Sequence, residues 1–201
     1  EGPTPSPVKT VAEEHGLPVV HQLDALRDCG AQLGIVVAFG SLVPSEILQD
    51  LPMVNVHFSL LPRWRGPAPV EWAILAGDAK SGVCLMAVEG DFDVGAIYSH
   101  TEIPVGPRET VVQLKERLVG EGVKLLKATL SEGLKTPIPQ IGQPTWAQKI
   151  TVADRELDWT RPAVALDRLV RIGGAWTLIR GGRLKVLVAE PTIDVVEGPL
   201  G

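Results

Sequence analysis

Apolar residues in this chain recur in short runs broken by glycine, proline and polar turns, and the run lengths predict alternating helices and strands. Ser6 is placed to cap a helix that has Pro7 at its first position and Gly16 just past its end. Residues 17–20 read as a short strand, and residues 23–29 as a short helix closed by Gly30. Residues 35–39 form a continuous apolar run, the pattern of a strand buried on both faces of a parallel sheet. A short helix begins over residues 44–48, and a strand follows over 53–58. Residues 61–69 hold three prolines and one glycine, which demands a loop with a fixed path. Residues 70–76 read as a helix ended by Gly77, residues 83–88 as a strand, and residues 90–95 as a turn-rich loop. Residues 96–103 read as a strand near a sheet edge. Thr110, with Gln113 three positions on, makes a capping box for the longest helix. Leu114, Leu118, Leu125, Leu126 and Leu130 form its apolar face, and Gly133 stops it. This alternation predicts an α/β fold built on a doubly wound, mostly parallel sheet.

The pattern then changes. Residues 137–148 carry three prolines and no periodicity. Residues 162–172 read as a helix with Thr160 as cap. Residues 176–189 alternate around Gly181-Gly182, a hairpin signal. The expected division is a catalytic domain over 1–136, a linker over 137–155, and the beginning of a β-rich domain over 156–201. A piece that short cannot bury a core of its own. The first residue is Glu1 and not Met, which leaves room for a preceding leader or segment.

Composition narrows the function classes. The net charge of -5 argues against a general nucleic-acid binder, so any nucleic-acid partner needs a local basic patch. No apolar run approaches the roughly 20 residues of a membrane span. Cys29 and Cys84 lie far apart without metal-type spacing, and read as buried small hydrophobes in a reducing compartment.

The strand over 53–58 carries the candidate chemistry. Asn55 and His57 are two apart and share a face. Asp93 follows the next strand, where neighbouring loops can bring it to them. Each has a plainer reading. A strand-end histidine is often a hydrogen-bonded structural group, an asparagine there a turn-former, and Asp93 a turn residue with Asp91 as its rival. His15, His21 and His100 have no such company.

The run Asn55-Val56-His57-Phe58-Ser59-Leu60-Leu61-Pro62, with Asp93-Val94-Gly95 after the next strand, resembles the folate-dependent formyltransferases. Three segments are similar to the methionyl-tRNA branch of that family: Pro62-Arg63-Trp64-Arg65-Gly66-Pro67-Ala68-Pro69, Pro5-Ser6-Pro7-Val8-Lys9 and Leu157-Asp158-Trp159. The similarity spans nearly the whole chain.

The resemblance implies a Rossmann-like formyltransferase fold followed by the start of a small OB-like β-barrel. It also implies a preceding strand–helix–strand unit that this chain lacks, so the chain is expected to be incomplete at both ends. The implied activity is formyl transfer from 10-formyltetrahydrofolate, as co-substrate and without metal, to the α-amine of initiator methionyl-tRNA. Asn55, His57 and Asp93 take the catalytic roles: Asn55 and His57 as donors to the oxyanion, Asp93 as the group that orients His57 and raises its pKa. Ser59, Leu60, Leu61 and Pro62 take the folate, against a plainer reading as a rigid connector. Arg63 and Arg65 meet tRNA phosphate, against a plainer reading as solvated arginines beside a packed Trp64. A monomeric enzyme, cytoplasmic in bacteria or mitochondrial in a eukaryote, is the matching expectation.

Three alternatives stand: a formyltransferase acting on an amino-sugar nucleotide or other small amine, a hydrolase with water as acceptor, and a non-catalytic folate- or tRNA-binding remnant. A serine hydrolase lacks its Gly-x-Ser-x-Gly elbow, and a zinc enzyme its ligand spacing.

Overall fold

A helix starts where a side chain can satisfy its first free amides. In this computed structural model, which describes residues 5–192, Ser6 Oγ accepts the Lys9 amide and opens α1 (Pro7–Glu14). Residues 17–20 do not form the expected strand: they are exposed and pair with no other segment. Pro18 has no amide to give to a ladder. Of the helix expected over 23–29, only one 3-10 turn forms, Leu23–Leu26. Cys29, just beyond it, is exposed and not buried as expected, whereas Cys84 is buried.

Four strands make the main sheet: β1 (Gly34–Val37), β2 (Met53–His57), β3 (Lys80–Ala87) and β4 (Ile97–Pro104), in that order. β1 and β2 run parallel, whereas β2–β3 and β3–β4 are antiparallel. The fold is α/β, and parallel pairing is confined to β1 and β2 among the described strands. β4 lies at one edge, as its polar residues predict. β1 lies at the other edge, with Ile35 39% and Val37 54% exposed. This corrects the expected double burial: an apolar run reports what a strand can bury, not whether a second layer covers it.

The core lies on one face of the sheet. Val54 and Val56 of β2 and Val83 and Leu85 of β3 pack against α4 (Val111–Glu132) and α3 (Pro69–Ala76). The Thr110–Gln113 capping box opens α4. Leu114 and Leu118 are wholly buried and Leu125 and Leu126 partly so, but Leu130 is 43% exposed, so the buried stripe ends before the helix does. A smaller cluster forms around α2 (Ser45–Asp50), where Ile47 packs with Val43, Leu51 and Met53.

Residues beyond the irregular stretch join the same core. Leu169 and Val170 of α5 (Ala163–Arg171) pack into it with Ile172 and Ala175. α5 has Pro162 at its N-cap. Thr160, the expected cap, instead donates its hydroxyl to Asp158 Oδ1 at 2.6 Å. β5 (Trp176–Ile179) and β6 (Gly182–Lys185) form the predicted hairpin. Its two-residue turn is Arg180-Gly181, one position earlier than expected, with φ +48° and +78°. Positive φ at both positions is the mark of the type I′ turn that suits strand twist. Among the described residues no helix is long and apolar enough to cross a membrane.

Leu118→Ala removes a wholly buried side chain and is expected to destabilise the chain by about 2–5 kcal/mol. Val119→Ala, one position along and 50% exposed, is expected to stay within about 0.5 kcal/mol. Urea denaturation midpoints for the two variants check this.

Candidate active site

The two-residue period of β2 divides its side chains. Val54 and Val56 enter the core, so Asn55 and His57 emerge on the opposite face of the sheet. His57 is only 6% exposed.

The proline-bearing loop after β2 supplies the first fixed partner. Trp64 sits at φ +64°, a left-handed conformation uncommon for a bulky residue. Its carbonyl oxygen lies 2.9 Å from His57 Nε2. A carbonyl only accepts, so Nε2 carries the hydrogen and donates it. The loop is braced for this. The Trp64 indole donates to Asp78 at 2.7 Å and stacks on Trp72 with ring centroids 5.7 Å apart. Arg63 grips the same Asp78 through two bonds of 2.6 and 2.8 Å, with its guanidinium 4.2 Å above the Trp64 ring.

Asp93 arrives by an unexpected route. Because β2 and β3 are antiparallel, His57 lies opposite Cys84, and the end of β3, at Ala87, lies opposite Val54. The loops that follow the two strands therefore leave at opposite ends of the pair, and the β3–β4 loop must fold back to reach β2. Two backbone features permit it. Asp93 adopts φ +54°. Gly95 presses so closely on the Ala87 carbonyl that no side chain fits there. Asp91, the rival, only bonds the amide of Phe92 next to it.

Once folded back, the Asp93 carboxylate gathers two segments. Oδ1 accepts from Asn55 Nδ2 at 3.2 Å and lies 3.4 Å from His57 Nδ1. Oδ2 accepts the Gly66 amide at 2.8 Å. The carboxylate is 12% exposed. Burial holds the His57 imidazole below its ordinary pKa of 6.5, opposed in part by the Asp93 charge and by the bond to Trp64. His57 is therefore neutral near pH 7, with its hydrogen on Nε2 and a lone pair on Nδ1 facing the carboxylate. The folded chain takes up this proton less readily than the unfolded chain. The stability linked to His57 is accordingly present above pH 6.5 and is lost as pH falls below it.

Asn55, His57 and Asp93 share a cavity of about 510 Å³ with Phe39, Arg65 and Trp146. A smaller hollow continues from it between Val36, Leu42, Val43 and Val88, and shares Phe39, Asn55, Phe92 and Asp93 with it. Ser59, Leu60, Leu61 and Pro62 do not line the cavity, although Phe58 and Arg65 on either side do. Ser59 is buried and donates to the Arg63 carbonyl at 2.6 Å, and Leu61 packs with Cys84 and Met86. Arg63 also lies outside the cavity lining. Among the described residues no group of three or more His, Cys, Asp or Glu is arranged to hold a metal ion.

The irregular stretch expected as a linker supplies part of the wall. The Gln140 amide donates to the carbonyls of Asp93 and Gly95 at 2.8 and 2.9 Å, and its oxygen accepts Arg65 Nη2 at 2.7 Å. Arg65 exchanges backbone bonds with Thr145 and Ala147 at 2.9 and 2.6 Å. Sequence reasoning missed Gln140 and Trp146, because nothing in an aperiodic, proline-rich stretch marks which residues fold back.

A sequence model described as formyl transferase matches residues 6–130, and one for the formyl transferase C-terminal domain matches residues 149–199. The chain belongs to the formyl transferase family. A curated relative from Cereibacter sphaeroides, named methionyl-tRNA formyltransferase, is 43% identical over 91% of this chain and 66% of its own length. This chain thus spans slightly less than two thirds of that relative. The solved methionyl-tRNA formyltransferase of Clostridium thermocellum superposes with a TM-score of 0.67 at 18% identity, covering 88% of this chain and 84% of its own. HypX from Aquifex aeolicus in complex with tetrahydrofolic acid superposes with a TM-score of 0.68 at 21% identity, covering 80% of this chain and 30% of its own. These two structural likenesses show a shared fold.

Asp93→Asn removes the charge that partly restores the His57 pKa, so the ring is expected to titrate at still lower pH than in the parent chain. An NMR pH titration of the His57 ring protons checks this; an unchanged or raised midpoint would refute the electrostatic assignment.

Proposed function

We propose that this chain transfers a formyl group from 10-formyltetrahydrofolate to the α-amine of initiator methionyl-tRNA, the step that prepares that tRNA for translation initiation. The observation that carries the reading is the convergence of Asn55, His57 and Asp93 on one cavity wall in a chain of this family. The methionyl-tRNA acceptor is supported by the 43% identity to a relative of that name.

Formyl transfer is acyl transfer. An α-amine has a pKa of about 7.7–8.0, so much of it is already neutral slightly above pH 7 and needs only a weak base. The amine nitrogen attacks the formyl carbon, a C–N bond forms, and the carbonyl oxygen takes negative charge. Asn55 is oriented by its bond to Asp93 and has a second amide hydrogen for that oxygen. His57 has a different part from the oxyanion donation expected of it, because its Nε2 hydrogen is committed to Trp64. The Asp93 carboxylate, which lies 3.4 Å from the Nδ1 lone pair, takes the proton released by the amine and hands it to that nitrogen, where the resulting imidazolium pairs with the aspartate charge. As the bond from the formyl carbon to the folate nitrogen breaks, that proton passes to the departing nitrogen. One proton leaves the amine and one reaches tetrahydrofolate, so the histidine ends as it began.

The Ser59–Pro62 segment serves the folate as the support that holds Phe58 and Arg65 in the cavity wall. Arg65 meets phosphate of the acceptor end, whereas Arg63 is committed to Asp78 and keeps the loop in shape.

Transfer to charged initiator tRNA by folded chain tests the reading. Asn55→Ala, which removes the oxyanion donor, and Asp93→Ala, which frees that donor from its anchor, are each expected to lower turnover by about 10²–10³. Turnover within a few-fold of the parent in both variants would refute it. Arg65→Ala is expected to flatten the dependence of KM on salt, and Arg63→Ala to leave that slope unchanged while lowering stability. Equal slopes in all three proteins would remove Arg65 from phosphate contact.

A further inference from the structure

Four of the five tryptophans give their indole N–H to a protein acceptor. Trp64 donates to Asp78, Trp72 to the Gln148 carbonyl, Trp159 to Thr177 and Trp176 to the Val152 carbonyl, all at 2.7–2.9 Å. Trp146 is the exception among the described residues. Its indole meets no acceptor, it is 51% exposed, and it stands in the cavity wall. Its backbone is nonetheless held on both sides. The amide of Arg65 donates to the Thr145 carbonyl at 2.9 Å, and the Ala147 amide to the Arg65 carbonyl at 2.6 Å. The result is an aromatic ring on an anchored backbone with an open face.

The same bridge sets Arg65 beside it. The Arg65 guanidinium bonds the neutral Gln140 oxygen and forms no ion pair with any described carboxylate. An open aromatic face next to an unneutralised arginine is suited to a nucleotide: the base stacks and the phosphate takes the guanidinium. The two groups also have a definite end of the cavity. The adjoining small hollow shares Asn55 and Asp93 with the cavity but includes neither Arg65 nor Trp146. Asn55 and Asp93 therefore stand between an end that carries the carboxylates of Glu89 and Asp91, which repel phosphate, and a cationic aromatic end.

We infer that Trp146 and Arg65 form an acceptor subsite that holds the terminal nucleotide of the amine-bearing substrate, base on indole and phosphate on guanidinium. The subsite rests on the formyl-transfer reading for the identity of that substrate. It deepens that reading by making Trp146 a positioning residue that brings the amine to Asn55 and His57.

The test titrates the full chain with the trinucleotide CCA, the end common to tRNAs, and with the same trinucleotide lacking its terminal base. Binding is followed on the tryptophan indole N–H resonances, the Trp146 signal being assigned by its loss in Trp146→Phe. CCA is expected to shift that signal and to bind about tenfold or more tightly than the baseless analogue. Trp146→Ala is expected to reduce CCA to the analogue's affinity, Trp146→Phe to retain most of it, and both to leave tetrahydrofolate binding unchanged. Equal binding of the two trinucleotides by the parent chain would overturn the subsite. So would a Trp146→Ala variant that loses tetrahydrofolate and keeps CCA. Absence of formyl transfer alongside the expected trinucleotide results would sink the catalytic reading and leave the subsite standing.

Discussion

A carboxylate that is only 12% exposed must be surrounded by donors, and Asp93 takes its donors from both a strand and the loop that follows it. Asn55 comes from a strand and Gly66 from a proline-bearing loop, and the His57 ring closes the cluster at 3.4 Å. Gln140, from residues far along the chain, grips the backbone on which the carboxylate sits. Moving the carboxylate by an ångström or two would leave these donors unpaired in a poorly hydrated place. That makes Asp93 the keystone of the cavity.

The same arrangement sets the division of labour. His57 cannot serve as a free donor while its Nε2 hydrogen belongs to Trp64. Burial keeps the ring neutral, so the lone pair of the remaining nitrogen faces the carboxylate. Asn55 is left as the donor with a hydrogen to spare. The Trp64 carbonyl reaches His57 only because that residue accepts a left-handed backbone, and Trp64 is held there by Asp78, Arg63 and Trp72. An arginine that reads from sequence as a ligand-binding cation thus spends its charge on the scaffold. Its neighbour Arg65, without an ion pair among the described residues, keeps its charge for the cavity.

Much of this was legible in the order of residues. The capping box at Thr110 and the proline at the start of α1 act through local chemistry and appear where the sequence puts them, and the hairpin forms within one position of its expected turn. The shared face of Asn55 and His57 follows from the two-residue period alone. What failed depended on neighbours. Residues 17–20 have strand-like composition but no ladder to join, and the residues of β1 have an apolar pattern but an open face. Asp93 was expected near Asn55 and His57 because neighbouring strands were read as parallel, whereas the pair is antiparallel and the loop reaches them by doubling back through Gly95. Gln140 and Trp146 carried no periodicity and no motif, so only the folded chain shows that Trp146 lines the cavity and that Gln140 braces its wall.

If Asp93 organises Asn55 and does not merely stand beside it, the two residues act as a unit. A double-mutant cycle of Asn55→Ala and Asp93→Ala, read in single-turnover formyl transfer, measures this directly. The predicted result is a double variant hardly slower than the slower single variant, because loss of either partner already dismantles the arrangement. Losses that multiply, each substitution costing its full factor in the presence of the other, would show two independent contributions and contradict the role assigned to Asp93.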